Sequence, residues 1–149
     1  IRCKTKKEEK EMTLNFNEML DKCWVTALQH EPEAKLYQGF ATKEMKFVNC
    51  VFRGKNNTTL LVECNDEGES HLHDVDSPYM DDCVIHPPIK MSQEESLKIL
   101  TAHLVNPEWS NVVLRKPLGP EPINTSYIYT CVTGYWAVDT ETGAVTKFS

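Results

Sequence analysis

The sequence has no Gly-x-Ser-x-Gly elbow, no glycine-rich phosphate loop and no pair of cysteines spaced Cys-x-x-Cys. The first absence removes the exposed nucleophile of the α/β-hydrolases, and the second removes backbone cradles for nucleotide phosphates. The third removes zinc ribbons and thioredoxin-like redox pairs. No apolar run approaches the ~20 residues of a membrane-spanning helix. Basic charge is scarce: 16 Lys and Arg stand against 22 Asp and Glu, for a formal net charge of −6. That balance argues against nucleic acid as the natural partner. Between Lys55 and Lys90 there is no Lys or Arg at all, and no internal repeat or low-complexity tract is visible.

What is present suits one globular domain. At 149 residues, 40% apolar and 26% charged, such a chain buries about two-thirds of the surface its unfolded form exposes. Lys4, Lys6, Lys7 and Lys10 alternate with Glu8, Glu9 and Glu11, so residues 1–12 read as a solvated arm and 13–149 as the domain. Six cysteines, Cys3, Cys23, Cys50, Cys64, Cys83 and Cys131, form an even set and read as three disulfides of an oxidising compartment, with connectivity open. Glycosylation sequons begin at Asn56, Asn57 and Asn124, in stretches that read as loops. The chain begins at Ile1 without Met, as a processed form does and as a chosen boundary would. Together these features point to a secreted protein.

Leu14, Phe16, Met19, Leu20, Cys23, Trp24, Ala27 and Leu28 recur at three- and four-residue spacing, which predicts an amphipathic helix ending near His30-Glu31, before Pro32. Leu36, Tyr37, Phe40 and Ala41 suggest a second helix, although Gly39 weakens it. Phe47–Phe52 and Thr58–Cys64 read as a hairpin in which Arg53 faces Thr58, putting Cys50 and Cys64 on opposite faces; continuation of the second helix to Cys50 is the competing reading. Residues 63–86, acidic and broken by Gly68 and Pro78, read as a long loop. Ser92-Gln93-Glu94-Glu95 is a capping box ahead of Leu97, Leu100 and Leu104, predicting a third helix. A ribbon from Tyr127 to Phe148 turns at Asp139–Gly143 and reads as a central hairpin. The expected fold is therefore α+β, about three helices on an antiparallel sheet of two hairpins, stabilised by disulfides.

Candidate chemistry is sparse. His71 and His73 share a face of any extended segment, and with Asp74 and Asp76 they form the one plausible zinc cluster, against the reading of an exposed acidic loop. His30 and His103 would serve as an acid/base pair only if the fold joined them, and both are placed at helix ends where histidine favours the dipole. Trp109, flanked by Glu108 and Ser110-Asn111 in a connection after a helix, is the candidate partner anchor. Asp81 and Asp82, in the acidic segment, are suited to steering a basic partner. No cofactor is called for.

Cys23 in the first helix, Leu97–Leu104 followed by Trp109-Ser110-Asn111-Val112-Val113, and Tyr129-Thr130-Cys131-Val132 near the end together resemble the cysteine-rich secretory and venom-allergen (CAP) superfamily, in its divergent secreted relatives from parasitic nematodes. The chain is shorter than that family's usual domain, and the family's paired His and Glu cavity has no counterpart. The resemblance implies a secreted, host-directed immunomodulator without that metal site, with a host receptor or cytokine as partner. The readings carried forward are a non-enzymatic binding module, a small-ligand carrier with a pocket between helices and sheet, and a metal-dependent hydrolase using the His71/His73 acidic segment.

Overall fold

The computed structural model describes residues 13–79, 82–119 and 123–148; the N-terminal arm, Cys3 and Asp81 lie outside them. Helix α1 (Phe16–His30) starts where Asn15 Oδ1 accepts from the Glu18 N–H at 2.9 Å and Glu18 Oε1 accepts from the Asn15 N–H at 3.1 Å. It ends at an extended Glu31, just before Pro32. Phe16, Met19, Leu20, Cys23 and Ala27 form its buried stripe. Helix α2 (Gln93–His103) carries the expected capping box, with Ser92 Oγ accepting from the Glu95 N–H at 3.1 Å. Ser92→Ala should therefore lower stability by about 1 kcal/mol, read as a shifted midpoint in urea unfolding; an unchanged midpoint would show that the cap is not used.

The strands are β1 (Lys35–Thr42), β2 (Phe47–Arg53), β3 (Thr59–Asn65), β4 (Ser70–Val75), β5 (Asp82–Cys83), β6 (Trp109–Pro117), β7 (Ser126–Cys131), β8 (Gly134–Asp139) and β9 (Val145–Lys147). They form one antiparallel sheet in the order β4-β3-β2-β1-β6-β7-β8-β9, with the two-residue β5 on the end of β6. The chain thus makes a helix and then a four-stranded meander, twice, and joins the two meanders through β1 and β6. A topological repeat exists where no sequence repeat was legible.

Three expectations about the fold are overturned. The described residues hold two helices rather than three, because the proposed second helix is strand β1. A bulge between Leu36 and Gln38 leaves Leu36 and Tyr37 buried in succession, Leu36 in the core and Tyr37 against Tyr79, ahead of Gly39 and Ala41, and that local doubling mimics helical spacing. The sheet is a single eight-stranded path plus β5, not two hairpins. Its acidic 63–86 stretch is not one long loop: β3 and β4 pair through a turn in which Asn65 Oδ1 accepts from the Glu67 and Glu69 N–H groups at 3.0 and 2.9 Å, with Gly68 at φ 90°.

A fourth correction concerns disulfides. Cys23, Cys50, Cys64, Cys83 and Cys131 are all free thiols. The β2–β3 register differs from the expected one by a single residue, Arg53 facing Thr59 and Val48 facing Cys64, since Lys55–Asn57 form a 3-10 turn with Asn56 and Asn57 at φ 56° and 60°. A one-residue slip moves every side chain to the other face. Cys50 and Cys64 therefore both enter the core, beneath Cys23 of α1, and pack as small apolar groups. The Cys23 thiol donates to the carbonyls of Val48 and Val62, each at 3.7 Å.

Both helices lie on one face of the sheet. Phe16 packs edge-on against Tyr127 at 5.8 Å and Trp24 against Phe52 at 6.2 Å. A polar seam ties the two helices to β7. Tyr127 Oη donates to the Met91 carbonyl at 2.7 Å and accepts from Asn17 Nδ2 at 3.0 Å, while Asn17 Oδ1 accepts from the Gln93 N–H at 2.8 Å. Beside it, Tyr129 Oη is 2.6 Å from Ser96 Oγ and accepts from Gln93 Nε2 at 3.2 Å.

Candidate binding face

With the helices on one side, the other face of the β1–β4 meander has no covering layer among the described residues. Strand pairing arranges it in two rows. One runs Arg115, Gln38, Val51, Leu61, His73 and the other Val113, Phe40, Asn49, Glu63, His71. Alternation explains the composition: Val48, Cys50 and Phe52, or Leu60, Val62 and Cys64, fill the core, so Asn49 and Val51, or Leu61 and Glu63, must point outward. The rows border a groove of about 560 Å³. Its floor is Phe40, Val51 and Leu61, and Gln38, Asn49, Glu63, His71 and His73 supply polar groups around it. Leu61 is 41% exposed and joins Val51 and Phe40 in one apolar patch. Gln38 is held by the Tyr79 hydroxyl, which donates to its Oε1 at 2.9 Å, and Tyr79 leans on Tyr37 with ring centres 5.4 Å apart.

The sequence-derived candidates fall in several places. His71 and His73 do share a face, as an extended segment demands, and both are exposed. Asp74 points to the other side, where it meets His30 at 3.3 Å, and Asp76 lies beyond the end of β4. The candidate His71/His73/Asp74/Asp76 set is therefore split by the pleat, and no group of three or more metal-ligating side chains converges among the described residues. His30 and His103 are not brought together: His30 meets Asp74 on β4, His103 lies 6.0 Å from the Trp136 ring on β8, and those strands are six inter-strand steps apart in the sheet, each ~4.8 Å.

Trp109 opens β6, half-buried, its ring edge-on to Tyr129 at 5.2 Å and Lys43 Nζ 5.7 Å from its centre. It is partly a core residue. Glu108 beside it is exposed, and Asp82 forms part of β5. A smaller hollow of about 200 Å³ lies between Leu104–Glu108 and Cys131–Thr133, flanked by Val105 at 101% and Val132 at 80% exposure. Of the sequon asparagines, Asn56 and Asn57 are exposed at a hairpin tip, whereas Asn124 Nδ2 donates to both carboxylate oxygens of Asp139, at 3.1 and 3.4 Å. The groove's apolar floor, Phe40, Val51 and Leu61, escaped the sequence reading because the register slip and the bulge hid which side chains face outward. The Asn65-Asp66-Glu67-Gly68 turn was the signal that would have placed β4 beside β3.

No helix among the described residues is long and apolar enough to cross a membrane. No protein-family model, curated protein or solved structure matches this chain.

Proposed function

We propose that this chain is a secreted, non-enzymatic binding protein, and that a basic extracellular protein docks on the open face of β1–β4. The observation that carries this reading is the groove floored by Phe40, Val51 and Leu61 and carried on paired strands. Strands hold such a patch rigidly, which is what a specific contact uses. Charge favours a basic occupant: Glu63 stands in the groove, and the chain from residue 56 to 89 carries no Lys or Arg. Secretion rests on the sequons, two of which sit at an exposed hairpin tip. A host-directed immunomodulatory role fits the same reading.

Two alternatives fare less well. A carrier with its pocket between helices and sheet meets a filled layer there, where Phe16, Met19, Leu36 and Leu100 are all at 0% exposure. A hydrolase built on the His71/His73 segment lacks its carboxylates on the same face. A second docking surface is favoured by Val105 and Val132, whose exposure beside Trp109 marks that end as an apolar tip.

Capture from extracellular fluid on immobilised protein separates the two surfaces. The same basic protein should be retained by the native chain and by Trp109→Ala, and bound at least tenfold more weakly by Leu61→Lys, a loss of ~1.4 kcal/mol. Equal retention by Leu61→Lys, with loss on Trp109→Ala, would move the site to the tip.

A further inference from the structure

Strand β4 ends the sheet: it pairs with β3 on one side and with no described strand on the other. A free edge six residues long is a template for another strand, and proteins that remain monomeric usually block it. Here the residues along that edge are Ser70, His71, Leu72, His73, Asp74 and Val75. Its two imidazoles lie on the outer face, both exposed. They are ~6.8 Å apart along the strand, two steps of ~3.4 Å. Glu63 stands directly across from His71.

We propose that His71 and His73 form half of a zinc site completed by a second copy of this chain, joined edge to edge through β4. Among the described residues of one chain the site is incomplete, since no third ligand converges with them. An antiparallel pairing about Leu72 supplies the rest. In a two-fold contact residue i meets j and j meets i, so His71 faces His73 of the second copy, and His73 faces its His71. Directly opposed side chains have Cβ atoms ~5 Å apart. Four imidazoles thus gather on one face around the two-fold axis, which is the ligand number that a structural zinc site takes. Glu63 is placed to accept from the remaining N–H of His71 and to orient its ring, the usual outer-sphere role of a carboxylate. Helix α1 does not obstruct the contact: its buried stripe packs over β2 and β3, and it touches β4 through Thr26 to Ser70 at 2.7 Å and His30 to Asp74 at 3.3 Å.

This inference does not depend on the groove's proposed occupant. Sedimentation velocity of the full chain in EDTA should give a single species near the 17.1 kDa of one chain. Addition of zinc chloride should double the mass, with one zinc per two chains by elemental analysis after gel filtration, and EDTA should reverse it. His71→Ala and His73→Ala, both exposed changes that leave the core untouched, should each abolish the doubling. The proposal is overturned if saturating zinc leaves the mass at one chain, if zinc binds one per chain without a change in mass, or if doubling survives in the double variant.

Discussion

Replacing Tyr129 with Ala should lower the unfolding free energy by about 4 kcal/mol, the upper range for loss of a buried aromatic. Tyr129 has 0% exposure and packs edge-on against Trp109. Its hydroxyl is also the meeting point of Ser96 and Gln93 on α2. Tyr129→Phe keeps the ring and removes only that hydroxyl, leaving the Gln93 amide a donor short of an acceptor in a buried place. The expected cost is about 2 kcal/mol, because an orphaned buried polar group loses its desolvation penalty without return. Chemical unfolding of the two variants measures both numbers. If Tyr129→Phe proves neutral, the seam between the helices and β7 is not holding α2 in place.

Stability should also fall steeply in alkali. Burial raises the Tyr129 phenol from 10.0 to about 12 and the Cys64 thiol from 9.0 to about 11, with neighbouring Cys23 adding to the second. Burial pushes Tyr127 and Cys50 up as well, Cys50 also by its hydrogen bond to Cys23. These groups are acids whose folded form holds the proton more tightly than the unfolded form. Their contribution is complete below the unfolded values, near pH 9 for the thiols and pH 10 for the phenols, and is lost as pH rises through the folded ones. Two pH units on Tyr129 alone correspond to about 2–3 kcal/mol. Urea unfolding followed from about pH 8 to about pH 12 should show this decline, with Tyr129→Phe giving a shallower curve by one group's share. Parallel curves would mean that the Tyr129 phenol titrates as an exposed one does.

The two helices were legible because each has an apolar stripe of the right period, and the second announces its start with Ser92 and Glu95. The sheet was legible only in pieces. In β1 a bulge left Leu36 and Tyr37 buried in succession and made a strand look like a helix. Between β2 and β3 two asparagines in left-handed conformation lengthened the turn by one residue and reversed the facing of one strand relative to the other. The C-terminal ribbon hides a two-residue turn at Val132-Thr133, so Tyr129 and Trp136 pair on one face despite their opposite parity in sequence. It forms three strands rather than one hairpin, and the centre of the sheet is the β1–β6 pair. Cysteine number was the most misleading signal. A thiol in the core has the same sequence signature as half of a disulfide, and only register distinguishes them, here by placing Cys23, Cys50 and Cys64 in one apolar layer. The candidate site suffered from the same cause: Phe40, Val51 and Leu61 form a patch only when three strands are in their observed register.

The proposed use of the bare sheet face is tested most directly by methyl NMR of the labelled chain titrated with the basic protein it captures. Val51 and Leu61 lie in the groove, whereas Val105 and Val132 mark the tip beside Trp109. Docking on the face predicts shifts or broadening of the Val51 and Leu61 methyl signals at stoichiometric partner, with those of Val105 and Val132 unchanged. Perturbation of Val105 and Val132 with Val51 and Leu61 unmoved would contradict it.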